Sequence, residues 1–149
     1  MNFGPMFANH ISRFIKSDRI AVLNLSKNTL GDDGVILLMR TIVQTLSLVS
    51  LNLSSNEITA IGFSHIFDAI STNQSVVHLN LSTYDGVNRN RLSKKAVKKF
   101  KTMLLKNQIL DTLYFQGVSF GNDGMSELVK AFNFGLDDMV KAGRAKQNM

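Results

Sequence analysis

One short segment of the chain matches a motif of nucleophilic catalysis. The residues GVSFG at positions 117–121 have the spacing GxSxG, which in α/β-hydrolases holds the nucleophilic serine on a strand-to-helix turn. Those enzymes place the catalytic histidine after the serine, whereas His10, His65 and His78 all precede it. We therefore interpret the match as coincidental, and the sequence predicts no catalytic residue.

Other catalytic and metal-binding patterns are missing from the chain. It has no cysteine, which excludes disulfides, thiol catalysis and thiolate zinc sites. It has no phosphate-binding loop, HExxH pair or calcium loop. We predict a protein that is not an enzyme and has no cofactor, no metal and no small-molecule substrate. Residues 1–15 do not form a signal peptide and no apolar run reaches about 20 residues, so we expect an intracellular, cytoplasmic location.

Basic residues concentrate in one part of the chain. The 149 residues include 17 basic and 11 acidic ones, for a net charge of +6 that favours acidic partners. The concentrated residues are Arg89, Arg91, Lys94, Lys95, Lys98, Lys99, Lys101 and Lys106. They could bind nucleic acid or an anionic membrane surface. The alternative is a solvated helix face, which is the commoner origin of a charge run.

Four similar segments divide the chain into repeats. They begin at Ile20, Leu48, Val76 and Leu110, so the first two periods are 28 residues and the third is 34 residues. The six extra residues are 84–89, because Asn90 and Leu92 resume the pattern. Leucines with a period of two open each repeat, which predicts a short strand with one buried face. Boundaries follow at 1–19 for an N-terminal capping helix, 20–137 for the repeats and 138–149 for a C-terminal tail.

The second part of each repeat has helical spacing. Apolar residues at i, i+3 and i+7 form one face of a helix. The predicted inward residues are Gly34, Val35, Leu38 and Ile42; Gly62, Phe63, Ile66 and Ile70; Ala96, Val97, Phe100 and Leu104; Gly124, Met125, Leu128 and Phe132. The predicted N-cap residues are Asp32, Thr59, Ser93 and Asn122. Phe7, Ile11, Phe14 and Ile15 predict the capping helix.

A column of asparagines lies between strand and helix. Asn28, Asn56 and Asn90 occupy the same turn position in the first three repeats, where a buried amide can pair with backbone groups that the bending chain leaves free. Val118 takes this position in the fourth repeat, so we expect the asparagine column to end there.

These features carry a resemblance to a known family. The pattern LxxLxLxxNxL, followed by LGDDG at 30–34 and repeated every 28 residues, resembles the ribonuclease-inhibitor-type leucine-rich repeat over about residues 20–135. The resemblance implies an α/β fold, a right-handed solenoid with four parallel strands on the concave side and helices on the convex side. It implies a non-enzymatic protein–protein interaction scaffold, although this fold specifies function only weakly.

Strand side chains on the concave side are the usual contact surface of this family. They form three columns here, of which the third contains Ser26, Ser54 and Ser82. The candidate contacts are Asn24, Asn52, His78, Asn80, Tyr114 and Gln116. The alternative is that small polar residues simply tolerate a tight curve. The basic candidates are Arg89, Arg91, Lys94, Lys95, Lys98 and Lys101.

Several hypotheses about the partner remain open from the sequence. The first is another protein of unknown identity. The second is a small GTPase, because Ran GTPase-activating proteins share this repeat class and Arg89, Asn90 and Arg91 resemble an exposed loop cluster. The third is nucleic acid or anionic lipid, bound through residues 89–106. Self-association is also predicted through the open strand edge at residues 112–116.

Overall fold

The computed structural model describes residues 4–84 and 88–120, together with residues 123, 124, 126, 127, 129 and 130. Helices and strands alternate along these residues. In chain order they are α1 (Pro5–Lys16), β1 (Val22–Asn24), α2 (Gly31–Ile42), β2 (Ser50–Asn52), α3 (Ala60–Thr72), β3 (His78–Asn80), α4 (Lys94–Lys106) and β4 (Thr112–Tyr114). The predicted tail at 138–149 lies outside the described residues.

The four strands form one parallel sheet in the order β1-β2-β3-β4. The register aligns the predicted leucine column, with Leu23 beside Leu51, Leu51 beside Leu79, and Leu79 beside Leu113. The first three of these leucines are buried, and Leu113 is partly exposed. The alternation of helices with parallel strands confirms the predicted α/β class.

The helices bury the predicted apolar face with one exception. The columns headed by Gly34, Val35, Leu38 and Ile42 are buried through α2 and α3. In α4 the prediction for Leu104 is wrong, because it is 39% exposed while Met103 is fully buried. A helix has 3.6 residues per turn, so positions i+3 and i+4 lie on either side of one stripe and a slight rotation exchanges them. None of the described helices is long and apolar enough to cross a membrane.

Residues at the helix starts tie neighbouring repeats together. Thr59 is the N-cap of α3, as predicted, and its hydroxyl accepts from the Ile61 amide. Asp32 is not the N-cap of α2, because that helix begins one residue earlier and Leu30 holds the cap position. Its carboxylate reaches across to the next helix and accepts from the Thr59 and Gly62 amides at 2.8 and 3.0 Å. Asp32 therefore caps the helix of the following repeat. Ser93 holds the N-cap position of α4 without a side-chain cap bond; Asn122 lies outside the described residues.

The asparagine column is confirmed as a buried hydrogen-bond ladder. The Asn56 oxygen accepts from the Asn28 and Leu30 amides, and its nitrogen donates to the Leu25 carbonyl at 2.8 Å. The fully buried Asn90 does the same one repeat later. It accepts from Asn56 and Ile58 and donates to the carbonyls of Leu53, Leu81 and Ser82. Each asparagine thus fixes its own turn to the turn of the preceding repeat.

A second ladder lies at the opposite end of the strands, and the sequence analysis missed it. Asn73 donates to the carbonyls of Ile42 and Thr45 and accepts from the amides of Ser75 and Val76. Asn107 repeats these contacts in the next turn, with donation to the Ile70 and Asn73 carbonyls. The signal was present, because both asparagines lie three residues before a repeat start.

Helix α1 continues the helical layer before the first strand. Its residues Ala8 and Ile15 are buried in the core, and the following Asp18 joins the cap to the first repeat. The Asp18 carboxylate accepts from the Thr45 hydroxyl at 2.6 Å and from the Leu46 and Ser47 amides at 3.1 Å each. The Thr45 hydroxyl above all, and then these amides, lower the pKa of Asp18 from 3.8 to about 2.

Candidate functional site

The face of the sheet that points away from the helices carries the predicted concave contacts. We call this surface the concave face and define it by the outward side chains of the four strands: Val22, Asn24, Ser50, Asn52, His78, Asn80, Thr112 and Tyr114. Val22 is 69% exposed and His78 is exposed, at positions that align across the strands. The concave face bears no acid, lysine or arginine, so contacts to it are hydrogen bonds and apolar packing.

Three asparagines on the concave face are used by their own turns. The side-chain oxygens of Asn24, Asn52 and Asn80 each accept from the amide two residues later, at 3.0 Å. This local bond turns the chain out of the strand. Tyr114 aligns with Asn80 in the register and replaces this turn-forming side chain. It is 48% exposed, and within the described part of the chain its hydroxyl has no hydrogen-bond partner.

The start of the insertion returns to the concave face. The amide nitrogen of Asn80 donates to the Tyr84 hydroxyl at 3.1 Å, and the Tyr84 backbone amide donates to the Ser55 hydroxyl at 2.8 Å. Asn80 is therefore bonded to one tyrosine and aligned with another, Tyr114, on the neighbouring strand. The sequence analysis did not place Tyr84 here; the signal available was a tyrosine four residues after a strand asparagine.

The prediction for the third concave column is wrong in its middle. Ser54 and Ser82 are fully buried, because the chain bends towards the helices directly after each strand asparagine. The Ser82 hydroxyl accepts from the Gln116 amide at 3.0 Å and so helps to join the last two repeats. Gln116 itself is exposed, as the prediction requires. The open-edge association predicted for residues 112–116 stays a prediction.

The predicted lysines lie on the helical side. Lys94, Lys95 and Lys98 are exposed on α4, and Lys101 is partly exposed. The Lys94 ammonium lies 3.9 Å from the Glu127 carboxylate, and Lys99 pairs with Asp68 on α3. Two lysines of the run thus have acidic partners in neighbouring repeats, which fits the interpretation of a solvated face.

Arg89 and Arg91 lie apart from the lysines and line a cleft of about 490 Å³ with Glu57, Thr59 and Asn88. Both arginines are exposed. The residue between them, Asn90, is fully buried in the ladder. The part of the GTPase hypothesis that needs an exposed Asn90 is therefore wrong, because backbone pairing uses its amide.

The segment with GxSxG spacing serves the repeat. Gly117 has a φ of +66°, and a Cβ there would lie 2.4 Å from the Thr83 carbonyl oxygen. The Ser119 carbonyl accepts from the Leu92 amide at 2.8 Å. The glycine is thus explained by a tight approach between neighbouring turns.

Comparisons with known proteins agree with this architecture. A family model described as "Leucine Rich repeat" matches residues 21–39 and 46–65, which lie in the first two repeats. One similar solved structure is described as "Leiomodin-1 Actin-Binding Site 2 (ABS2)", with a TM-score of 0.65 and 18% identity over 97% of this chain and 80% of that chain. The fold is a leucine-rich-repeat solenoid. No curated protein sequence matches the chain. The finer ribonuclease-inhibitor-type assignment remains a prediction.

Proposed function

We propose that the chain is a non-enzymatic scaffold that binds another protein through the concave face of its third and fourth repeats. The observation that carries the proposal is Tyr114. Its position is used for turn formation in the three preceding strands, whereas this side chain is half-exposed and has no hydrogen-bond partner among the described residues. Tyrosine is enriched among the residues that dominate binding energy.

The surroundings of Tyr114 suit a protein partner. Asn80 and Tyr84 supply a hydrogen-bonded pair beside it, and His78 and Gln116 are exposed nearby on the same strands. An aromatic anchor with polar neighbours and no formal lysine, arginine or acid is typical of the centre of an interface rather than its rim. We expect the partner to present apolar surface and hydrogen-bonding groups at this point.

The defined probe for a first experiment is actin, because the similar solved structure is described as an actin-binding site. At 18% identity that likeness supports the fold alone, so actin is a probe and the proposal does not depend on it. Co-sedimentation of the intact chain with actin filaments, beside capture from a cell lysate, covers the defined case and the open one.

Two variants decide the proposal. Tyr114→Ala should weaken capture of the partner at least tenfold, since a central aromatic contact contributes about 2 kcal/mol or more. Val22→Ala is the matched control, because it shortens an exposed apolar side chain of the same face at the far strand. A partner held equally by the original chain and both variants contradicts the proposal, and so does the absence of any captured protein.

A further inference from the structure

The cleft beside the insertion has a rigid frame. Arg89 and Arg91 flank Asn90 in extended chain, where side chains alternate between two sides. Because Asn90 points into the core and makes five hydrogen bonds to backbone groups, the two arginines are directed away from it. The Arg91 amide donates to the Ile58 carbonyl at 2.7 Å. The arginine backbone is therefore fixed on both sides before any ligand arrives.

This pair of cations occurs once along the repeats. The positions on either side of the ladder residue hold Lys27 and Thr29 in the first repeat, Ser55 and Glu57 in the second, Arg89 and Arg91 in the third, and Gly117 and Ser119 in the fourth. The insertion brings Asn88 against the second repeat, where its carbonyl accepts from the Glu57 amide at 3.1 Å. The cleft therefore belongs to the irregular third repeat and is not a general property of the solenoid.

Opposite charges share this cleft without pairing. Glu57 and Arg91 both line it, yet neither forms an ion pair within 4.0 Å with any residue in the described part of the chain. The Asp32 carboxylate already occupies the nearby amino end of α3. A ligand of the cleft therefore meets guanidinium groups and one separate carboxylate, and does not meet free helix amides.

The charge balance selects the ligand. A guanidinium binds a carboxylate through two parallel hydrogen bonds, and a phosphate dianion through the same fork. Glu57 reduces the positive charge of the lining to about one unit, which matches a single carboxylate and disfavours a dianion. It also offers a contact for a cation next to that carboxylate. We propose that the cleft binds an acidic side chain of a protein partner, with a basic neighbour directed at Glu57.

The proposal rests on the proposed function, since the acidic segment belongs to a partner held on the concave face. It is tested with the full chain labelled with ¹⁵N and titrated with the acetylated, amidated peptide Gly-Gly-Glu-Gly-Lys-Gly-Gly. We expect saturable shifts at the amides of Glu57, Thr59 and Asn88. Arg91→Gln should weaken binding at least tenfold, and so should glutamine in place of glutamate in the peptide.

Lys95→Gln is the control, because it removes the same charge from an exposed position on α4 outside the cleft lining. Equal weakening by Lys95→Gln and Arg91→Gln would overturn the proposal, because net charge would then explain binding. Tighter binding of the peptide with phosphoserine in place of glutamate would overturn the choice of a carboxylate. Titration without saturable shifts would overturn the site.

Failure here is distinguishable from failure of the proposed function. A partner that is lost with Tyr114→Ala but kept with Arg91→Gln supports the concave face and rejects the cleft. Peptide binding that depends on Arg91, together with a partner indifferent to Tyr114→Ala, has the opposite meaning.

Discussion

The first two repeats and the last two repeats solve the same packing problem in different ways. In the first pair, a 28-residue period, a buried asparagine and a small helix residue recur in register, and both segments matched by the family model lie here. In the last pair, the period stretches to 34 residues and Val118 replaces the asparagine. Regularity thus marks the part of the chain that builds the solenoid, and departures from it mark the part that carries distinctive surface.

The fourth repeat is held by rings where the earlier turns are held by amides. Phe115 occupies the position of the leucines Leu25, Leu53 and Leu81, and its ring contacts three repeats. Its centroid lies 5.9 Å from Phe63 and 5.5 Å from Phe100. Aromatic contacts depend less on direction than a hydrogen-bond ladder does, so this repeat keeps its place while its turn varies. The difference teaches that one column can lapse when a neighbouring column enlarges.

The largest effect should come from the ladder itself. Asn90→Ala leaves two buried amides and three carbonyls without their partner, and should lower the free energy of unfolding by about 3–5 kcal/mol. Val118→Ala, at the same position one repeat later, removes only apolar contact and should lower it by about 1–2 kcal/mol. Urea denaturation measures both. Similar midpoints for the two variants would contradict the contrast between an amide turn and an apolar one.

The small helix residues give a milder contrast. A Cβ at Gly62 would lie 2.5 Å from the Asp32 carboxylate and 2.7 Å from Ile58, so Gly62→Ala should displace the cap of α3 and lower stability by about 1–2 kcal/mol. At Gly124 the nearest atom is 3.2 Å away, on Phe120. Gly124→Ala should stay within about 0.5 kcal/mol of the original chain, because alanine's helix preference offsets the tight contact. Thermal unfolding of both variants checks this, and a more damaging Gly124→Ala would reverse the comparison.

The smallest effect concerns the junction between α1 and the first repeat. Because the folded pKa of Asp18 is about 2, against an ordinary value of 3.8, its ionised form stabilises the fold above pH 3.8. That contribution is lost as the pH falls from 3.8 towards 2. Asp18→Asn should therefore flatten the pH dependence of stability in this window, measured by urea midpoints between pH 2 and pH 6. Asp33→Asn controls for the loss of one negative charge; the same flattening in that variant would show that Asp18 has no special part.

The sequence alone determined the repeat, its period and the position of the insertion. Those features depend on apolar residues at fixed spacing, and spacing is a property of the chain that needs no partner to be visible. The buried columns of α2 and α3 followed for the same reason, as did the role of the asparagine ladder. The identity of the exposed strand column, with Tyr114 and His78, also followed from a period of two.

Only the tertiary structure decided contacts between residues about 30 positions apart. Asp32 belongs to α2 in sequence but caps α3, because stacking brings its carboxylate to the next helix. The buried place of Met103 in preference to Leu104 depends on how α4 is rotated, which periodicity cannot fix. The cleft is the clearest case: Glu57, Asn88 and Arg91 share it because neighbouring turns lie side by side, and no local pattern records that proximity.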